Sequence, residues 1–296
     1  MRLDEFVSNS GPNLRGDYSA ARADFTVEQN WSAYTSDEHA LWQRLYQRQI
    51  KLLPGYAFLT YLDSLASLDA ADAIPDFARV SRRLRRATGW EIVAVPGLIP
   101  DLAFFDHLAN RRFPVTVWLR KPEEFDYIVE PDVFHDFFGH VPLLFDGGFS
   151  DYMQAYGKGG LKAARLDALK MLARLYWYTV EFGLIQSDAG LRIYGAGILS
   201  SGGEVVHAID SPKPRRLRFD LERILRTEYR IDRYQDAYFV IASFERLVRD
   251  TAPDFTPIYE RLRRLPTIAP DQASPADILV PGGRRGDETS SPARRR

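Results

Sequence analysis

The sequence predicts a single, mainly helical domain with a few short β-strands, an α+β fold. Apolar residues recur at helical spacing in several segments, whereas only two short segments are rich in β-branched residues. No segment of the chain repeats another. With 296 residues, 45% of them hydrophobic and 27% charged, the chain has the length and composition of a globular protein with a substantial core.

The first predicted helix is SDEHALWQRLYQRQIKLL, residues 36–53. Leu41, Leu45 and Leu52 recur there at a spacing that places them on one face of a helix. Ser36 opens this run, and serine is a residue type that caps helix N-termini. We therefore expect a helix that begins at this point, with Ser36 as its N-cap.

Two further helices are predicted on either side of a strand. IPDFARVSRRLRRATG, residues 74–89, has Pro75 near its first turn and Gly89 just past its end, a placement typical of both residue types. IPDLAFFDHLANRRF, residues 99–113, opens with the same Pro-Asp pair. Between these helices, WEIVAVPG, residues 90–97, has the β-branched content of a short strand.

A second strand and the longest helix complete the predicted elements. FPVTVWLR, residues 113–120, is the second strand, and LKAARLDALKMLARLYWYTVE, residues 161–181, has an uninterrupted helical pattern. Both ends of the chain are polar. We expect residues 1–29 to form an N-terminal arm, residues 30–280 the single domain that carries the site, and residues 281–296 a disordered tail.

Charge and hydropathy exclude several classes of partner. The net charge of −1 gives no general attraction to nucleic acid. No apolar run approaches the roughly 20 residues that cross a bilayer, and the N-terminus lacks the apolar core of a signal peptide. We therefore expect a cytoplasmic protein that binds neither nucleic acid nor membranes.

The absence of cysteine limits the chemistry of any metal site. Without cysteine there is no disulfide, no thiolate nucleophile and no sulfur ligand. A metal site would therefore consist of imidazole and carboxylate groups. The chain offers few imidazoles for this purpose: His39, His107, His135, His140 and His207.

Two of these histidines lie in one apolar stretch, EPDVFHDFFGHVPLL, residues 130–144. His135 and His140 are five residues apart, so in a regular helix their rings would point about 140° away from each other. Gly139 and Pro142 disfavour a continuous helix, and we expect the helix to end at Gly139 so that His140 turns back towards His135. Two buried histidines with only local hydrogen bonds are the structural alternative.

A third metal ligand is available in RLYWYTVEFGLI, where Glu181 lies between apolar and aromatic residues. A carboxylate in such surroundings is costly to bury unless it is paired or bound to a cation. Because Gly183 follows closely, Glu181 at a helix end facing solvent is the ordinary alternative. Two histidines with one carboxylate are the facial triad of non-haem Fe(II) oxygenases.

Three long motifs then resemble one family. EPDVFHDFFGHVPLL, RLYWYTVEFGLI and YGAGILSSGGEVVHAI, in this order and spacing, are similar to the pterin-dependent aromatic amino acid hydroxylases, most closely the bacterial phenylalanine 4-hydroxylases. The resemblance extends over residues 30–265 and includes YRIDRYQDAYFVI. It implies a mainly helical catalytic domain in which His135, His140 and Glu181 bind Fe(II), with Tyr176 close to the iron and the cofactor.

The resemblance also implies positions for the substrate and the cofactor. Arg120 matches the arginine that binds the substrate carboxylate, a task that suits a planar guanidinium. Near the substrate, the matching residues are Trp177, Phe182 and Ser200. Near the pterin, they are Gly97, Leu98 and Ile99 along the ring edge, Phe104 against the ring, and Asp136. Asp136 replaces the glutamate of animal members, as in the bacterial pattern, and its shorter side chain implies contact through water.

The implied reaction is hydroxylation of L-phenylalanine to L-tyrosine, with O₂ as co-substrate and tetrahydrobiopterin or a related tetrahydropterin as cofactor. A tryptophan or tyrosine hydroxylase of the same family would share the iron ligands. A zinc hydrolase could use the same two histidines and glutamate, and a non-catalytic binding protein could contain them by chance. Fewer than about 30 residues precede the resemblance, and the tail has no heptad pattern, so we expect a monomer without a regulatory domain.

Overall fold

The computed structural model describes residues 14–283 and consists mainly of helices, which confirms the predicted fold class. A long and apolar helix of the kind that crosses a membrane does not occur among these residues. The helices are α1 (Ser36–Leu52), α2 (Leu59–Ser67), α3 (Phe77–Ala87), α4 (Asp101–Ala109), α5 (Gly147–Arg165), α6 (Leu169–Tyr176), α7 (Ala196–Leu199), α8 (Glu204–Ile209), α9 (Leu221–Arg226), α10 (Phe244–Thr251) and α11 (Thr256–Leu262).

Less common helix types occur between these elements. Within residues 14–283, two segments are π-helices: Phe134–His140, which contains two predicted metal ligands, and Trp177–Glu181, which contains the third. Three short segments are 3₁₀-helices: Trp31–Ala33, Pro122–Glu124 and Val141–Phe145. The chain therefore departs from regular α-helix at both of the motifs that carry the candidate ligands.

The strands form two small sheets. In the first sheet, β1 (Glu91–Val95) pairs in parallel with β2 (Arg112–Thr116), and α4 connects them. The second sheet contains β3 (Leu184–Ser187), β4 (Gly190–Ile193), β5 (Arg215–Arg218) and β6 (Ala237–Ile241) in the order β4-β3-β6-β5. Within it β3 and β4 are antiparallel, whereas β6 is parallel to both β3 and β5. Both predicted strands exist, although β2 ends earlier than FPVTVWLR predicts.

The helix caps differ slightly from prediction. Thr35, not Ser36, caps α1: its hydroxyl accepts a hydrogen bond from the Glu38 backbone N–H, while the Glu38 carboxylate accepts one from the backbone N–H of Thr35. This capping box satisfies two backbone donors at once, and the helix therefore starts at Ser36, one residue earlier than a Ser36 N-cap predicts. Gly89 lies past the end of α3 with a φ of +77°, as its position predicted.

The predicted continuous helix over residues 161–181 is wrong. The structure has α5 and α6 there, separated by a break in which Asp167 adopts a φ of +50°. Aspartate tolerates this left-handed conformation better than most residues do, and it ends a helix without glycine or proline. The apolar spacing continues across the break, so periodicity could not locate it. The start of α5, capped by Asp146, was not predicted.

The described part of the predicted arm, residues 14–29, lies against the rest of the chain. Tyr18 and Phe25 are buried in a small cluster with Ile99 and Ala103, and Arg15 forms an ion pair with Glu124. The expected boundaries at residues 29 and 280 remain predictions. Residues 1–13 of the arm and residues 284–296 of the expected tail lie outside the described residues.

The first π-helix lies at the centre of the core. Its phenylalanines Phe134, Phe137 and Phe138 are fully buried, and the rings of Phe134 and Phe138 stack with centroids 4.8 Å apart. Trp42 of α1 packs edge-on against Phe134 at 5.3 Å. The Tyr61 hydroxyl of α2 donates a hydrogen bond of 2.7 Å to the Phe138 carbonyl. The candidate ligands His135 and His140 are therefore carried by one of the most firmly packed segments of the domain.

Glu204, at the start of α8, is a buried carboxylate outside the metal centre. One of its oxygens accepts hydrogen bonds from the Tyr238 hydroxyl at 2.6 Å and from the Gln235 backbone N–H at 3.0 Å. Burial raises the pKa of Glu204 from its ordinary value of 4.5 to about 7. Between these two pH values the folded chain keeps a proton that the unfolded chain has lost, so the stability of the fold decreases as the pH rises through this window.

Glu204→Gln should remove this pH dependence, because glutamine keeps the accepting oxygen and carries no charge. We expect the variant to exceed the wild type in free energy of unfolding by about 1–3 kcal/mol at pH 8 and to differ little at pH 4.5. Urea unfolding at several pH values measures this, with Glu260→Gln as an exposed control. If the unfolding free energy depends on pH in the same way in the wild type and in Glu204→Gln, the raised pKa of Glu204 is contradicted.

Candidate metal centre and active site

The structure brings the three predicted metal ligands together. The His140 Nε2 atom lies 3.2 Å from one Glu181 carboxylate oxygen, and the His135 Nε2 atom lies 3.5 Å from the other. The three ligand atoms all lie within 4.8 Å of one another. Among residues 14–283, no other group of three potential ligands is as close. The side chains are largely buried, so they converge on one enclosed point.

The π-helix explains why a spacing of five residues works. In a π-helix the hydrogen bond closes between residues i and i+5, so positions five apart lie nearly above one another. His135 and His140 occupy such positions in Phe134–His140, and their ring centroids are 5.2 Å apart. The prediction that the helix ends at Gly139 is therefore wrong, since the widened turn itself aligns the two rings.

Gly139 has a different role from the one predicted. Its φ is not in the left-handed region, so no helix end requires a glycine here. A Cβ atom at this position would lie 2.9 Å from the Ala196 Cβ atom and 2.9 Å from the Ala196 carbonyl oxygen. Glycine is thus needed because α7 passes very close to the π-helix. Pro142 lies in the 3₁₀-helix that follows directly.

The second π-helix presents the carboxylate ligand. The Phe182 backbone N–H donates to the Trp177 carbonyl at 2.8 Å, a bond across five residues that closes the widened turn. Glu181 at the end of this turn faces the two imidazoles, not solvent. Glu181 therefore does lie at a helix end, as the alternative interpretation expected, but its side chain points into the protein.

The hydrogen bonds of His135 prepare it as a ligand. The Ser200 hydroxyl donates to the Ala196 carbonyl at 2.9 Å, so it accepts the Nδ1–H of His135, also at 2.9 Å. This arrangement leaves the Nε2 lone pair directed at Glu181 and fixes the orientation of the ring. Burial lowers the pKa of His135, which favours the neutral imidazole that a metal requires.

The charge on Glu181 completes the donor set. Burial acts to raise the pKa of this carboxyl group, but the neighbouring imidazoles more than compensate, so the pKa is below its ordinary value. An anionic oxygen and two imidazole nitrogens therefore face one point. This set fits a divalent transition metal with open coordination positions, and both Fe(II) and Zn(II) accept it.

Arg120 is tightly bound inside the protein. Its side chain is only 4% exposed, and its Nε and one Nη donate to the two carboxylate oxygens of Asp132, each at 2.9 Å. Asp132 also accepts the backbone N–H of His135 at 3.0 Å. Asp132 thus joins the predicted substrate arginine to the metal-ligand segment, and sequence analysis missed it. Its position three residues before His135, suited to accepting a backbone N–H, was the available signal.

Aromatic side chains line the region beside the metal centre. The Trp177 indole lies between Tyr229, stacked at 4.2 Å between ring centroids, and Phe182 at 4.7 Å. Trp177 and Phe182 were both predicted: Trp177 begins the π-helix that ends at Glu181, and Phe182 directly follows this ligand. Tyr229 was not predicted individually, although it belongs to the YRIDRYQDAYFVI segment.

Phe104, predicted to lie against the pterin, and Tyr176, predicted to lie close to the iron and the cofactor, border an open cavity of about 570 Å³. Phe104 packs edge-on against Tyr176, with ring centroids 5.7 Å apart, and both line this cavity together with Trp177. The Tyr176 ring centroid is 6.3 Å from that of His140. Burial holds the pKa of Tyr176 well above its ordinary value, so its phenol stays protonated.

The remaining predicted pterin residues have partners within the chain. The Leu98 carbonyl accepts a hydrogen bond of 2.7 Å from the Tyr18 hydroxyl, and the Leu98 side chain is exposed. Ile99 belongs to the small cluster around Tyr18, and Gly97 passes close to the Arg15 carbonyl. In the π-helix, Asp136 accepts the Thr116 backbone N–H at 2.8 Å, and burial raises its pKa. Binding of a pterin by these residues stays a prediction.

Comparison with known proteins agrees with the motif resemblance. Residues 22–262 match the family model of the biopterin-dependent aromatic amino acid hydroxylases. The phenylalanine-4-hydroxylase of Ralstonia nicotianae is 58% identical over 270 residues, which cover 91% of this chain and 86% of the relative. The phenylalanine-4-hydroxylase of Caulobacter vibrioides is 53% identical over 283 residues, covering 95% of this chain and 96% of the relative.

Solved structures of such relatives share the fold. The iron- and phenylalanine-bound crystal structure of phenylalanine hydroxylase from Chromobacterium violaceum matches with a TM-score of 0.84 and 54% identity, covering 92% of this chain and 98% of that chain. The structure from the same organism with oxidised Fe(III) matches with a TM-score of 0.86 and 56% identity, covering 89% of this chain and 96% of that chain.

Proposed function

The chain belongs to the biopterin-dependent aromatic amino acid hydroxylase family, and from this premise we propose that His135, His140 and Glu181 form its iron site. It is a pterin-dependent non-haem iron enzyme that converts phenylalanine to tyrosine. The observation that carries the site assignment is the convergence of two imidazoles and one carboxylate in a chain 54% identical to an iron- and phenylalanine-bound enzyme.

The proposed cofactors are Fe(II) and tetrahydrobiopterin or a related tetrahydropterin, with O₂ as co-substrate. When bound, the iron and the tetrahydropterin supply the redox chemistry by which one oxygen atom of O₂ reaches the aromatic ring. The buried donor set described above fits such an ion, because one anionic and two neutral ligands leave coordination positions open.

The contribution of the chain is to orient ligands and to exclude water. Ser200 holds the tautomer of His135, and Asp132 fixes the backbone that carries this histidine. The ring of Phe113 lies 5.1 Å from that of His140, so the site has an apolar wall. Tyr176 remains a neutral phenol beside it. Such surroundings keep water away from a reactive oxidant.

We place phenylalanine between Arg120 and the aromatic side chains of Trp177 and Phe182. Arg120 keeps N–H groups that Asp132 does not occupy, and these can donate hydrogen bonds to the substrate carboxylate while the substrate ring contacts the aromatic side chains. Ser200 borders the amino acid in this arrangement. The support is that Ser200 is hydrogen-bonded to His135, and that Arg120 is joined to the His135 backbone through Asp132. In addition, Phe182 directly follows Glu181 and packs against Trp177.

We place the pterin ring in the cavity against Phe104 and near Tyr176, with Gly97, Leu98 and Ile99 along its edge. The cavity borders both aromatic rings, which supports a flat ligand there. Asp136 would reach the pterin through a water molecule, because its carboxylate already accepts the Thr116 backbone N–H.

One assay tests the function and separates the alternatives. The purified chain is loaded with Fe(II) and supplied with a tetrahydropterin, O₂ and phenylalanine, tryptophan or tyrosine in turn. We expect O₂ uptake and tyrosine formation from phenylalanine, with less product from the other two amino acids. A zinc hydrolase would consume no O₂. Absence of hydroxylated product with every amino acid would refute the proposal.

We also propose that the protein acts as a monomer. The support is the sequence after residue 281, which has no heptad pattern that would specify a coiled coil. Sedimentation velocity should give one species near the chain mass of 33.8 kDa. A stable tetramer, or sigmoidal dependence of the rate on phenylalanine, would contradict this view.

A further inference from the structure

Gln235 is a buried glutamine whose side chain contacts the indole of Trp177. It is 3% exposed, and its Oε1 atom accepts the Nε1–H of Trp177 at 2.9 Å. Its Nε2 group donates to the carbonyls of Arg230 at 3.0 Å and Arg233 at 3.4 Å. Because carbonyl oxygens can only accept, the side-chain amide has a single orientation, with the oxygen towards the indole.

The backbone of Gln235 is fixed as well. Its N–H donates to the Glu204 carboxylate at 3.0 Å, and its carbonyl accepts the Nε2–H of His207 at 3.1 Å. Both partners lie on α8, and the Glu204 carboxylate is held in turn by the Tyr238 hydroxyl. All polar groups of Gln235 are therefore satisfied, and the residue cannot shift without breaking several buried hydrogen bonds.

The other contacts of Trp177 leave one degree of freedom open. Tyr229 stacks on the indole with an interplanar angle of 15°, and Phe182 packs against it at 37°. Stacking fixes the plane of a ring but resists sliding and rotation within that plane only weakly. The hydrogen bond from Nε1 is directional, so it defines the rotation of the indole within the plane.

We propose that Gln235 is a positioning residue for the hydroxylation: by holding the Trp177 indole in one rotation, it sets where the substrate ring lies relative to the metal ligands. The inference rests on the proposed function, in which Trp177 contacts the phenylalanine ring. Trp177 is the first residue of the π-helix that ends at Glu181. A displaced indole would therefore change the site of the substrate ring, while the metal ligand Glu181 at the other end of this turn stays in place. Small errors in placement of reacting groups reduce rates strongly.

The test is Gln235→Leu, which removes the side-chain hydrogen bonds and keeps the backbone ones. We expect the dissociation constant of phenylalanine, measured by calorimetry on the Fe(II)-loaded protein without pterin or O₂, to rise about fivefold to tenfold, as for the loss of one hydrogen bond. In turnover, tyrosine formed per tetrahydropterin oxidised should fall at least about twofold. The Fe(II) affinity and the KM for tetrahydropterin should stay within about twofold of wild type.

Trp177→Phe provides the second half of a double-mutant cycle, since it keeps an aromatic ring and removes the N–H donor. If Gln235 acts through this bond, Gln235→Leu should change the phenylalanine affinity less than twofold in the Trp177→Phe background. Gln154→Leu is the matched control for a purely structural effect. Gln154 also uses both ends of its side chain, accepting from Arg111 and donating to the Ala109 carbonyl, far from Trp177 in the sequence.

Equal effects of Gln235→Leu in both backgrounds, or effects no larger than those of Gln154→Leu, would overturn the proposal. If Gln235→Leu fails to fold, Trp177→Phe alone tests the proposal. A phenylalanine affinity and a yield of tyrosine per tetrahydropterin oxidised that both equal those of the wild type would then refute it. Failure of the proposed function looks different, because the wild-type protein itself would then neither bind nor hydroxylate phenylalanine.

Discussion

Glu181→Gln is expected to lower the affinity for Fe(II) more than about 100-fold, since loss of even an outer partner of a metal ligand costs 10- to 100-fold. Tyrosine formation should fall to the background of free iron. The physical reason is that the amide oxygen of glutamine is a neutral, weaker donor, so the ion loses the only negative charge among the three ligands. Equilibrium dialysis and product analysis measure the two effects.

The same substitution should leave the metal-free fold intact. Without an ion, the two neighbouring imidazoles more than offset the burial of the Glu181 charge, so removal of that charge gives up a modest net stabilisation. The metal-free variant should therefore still unfold cooperatively, with a midpoint slightly below that of the wild type. Excess Fe(II) at about 100 times its dissociation constant should stabilise the wild type by about 2.7 kcal/mol and the variant hardly at all.

Exposed Glu260→Gln is the control, with the wild-type response to Fe(II) expected. A full stabilisation of Glu181→Gln by Fe(II) would show that the ion binds elsewhere. Loss of the cooperative transition in the metal-free variant would show that Glu181 has a structural task that its contacts do not indicate. Measurements of metal content and of unfolding therefore distinguish an effect on Fe(II) binding from an effect on folding.

The identity of the candidate ligands could be predicted because it depends on residue type and motif. A chain without cysteine has few donors besides carboxylates. His135 and His140 are the two histidines of one apolar motif, and Glu181 is the single acid of the motif RLYWYTVEFGLI. The local geometry could not be predicted in the same way. A π-helix differs from an α-helix by one residue per turn, and this difference is set by packing around Phe134, Phe137 and Phe138, not by local propensity.

Partners distant in sequence also escaped prediction. Gln235 and Trp177 are 58 residues apart, and Gln235 and Glu204 are 31 apart, so no spacing rule connects them. Similarly, the break at Asp167 depends on one backbone conformation within an unbroken apolar pattern. Sequence patterns report which face of an element is apolar, whereas the meeting of polar side chains depends on how the elements pack.

Gly139→Ala should damage both the fold and the metal site, because the added Cβ has no room. It would lie 2.9 Å from the Cβ and 2.9 Å from the carbonyl oxygen of Ala196, and a backbone oxygen cannot move aside as a flexible side chain can. Separation of α7 from the π-helix should cost about 1–3 kcal/mol of unfolding free energy, as overpacking of a core typically does. Chemical denaturation of the metal-free variant measures this cost.

The displacement of α7 in Gly139→Ala should also change the orientation of His135, because Ser200 connects the two. The Ser200 hydroxyl follows directly after α7 and bonds both the Ala196 carbonyl and His135 Nδ1, so displacement of α7 removes the bond that orients the ring. We expect the Fe(II) affinity of Gly139→Ala to fall about 10- to 100-fold, the range for losing such an orienting partner. A variant with wild-type stability and iron affinity would show that the close approach of α7 does not require a glycine at position 139.

Two further variants isolate the contact. Gly159→Ala adds the same methyl group in the interior of α5, where nothing lies within 4 Å, and should stabilise the fold by about 0.5–1 kcal/mol. Ala196→Gly combined with Gly139→Ala removes the contact between the two Cβ atoms but leaves the carbonyl contact. The pair should therefore recover only part of the lost stability. Full recovery would show that the methyl group of Ala196, and not its backbone, sets the distance between α7 and the metal-binding helix.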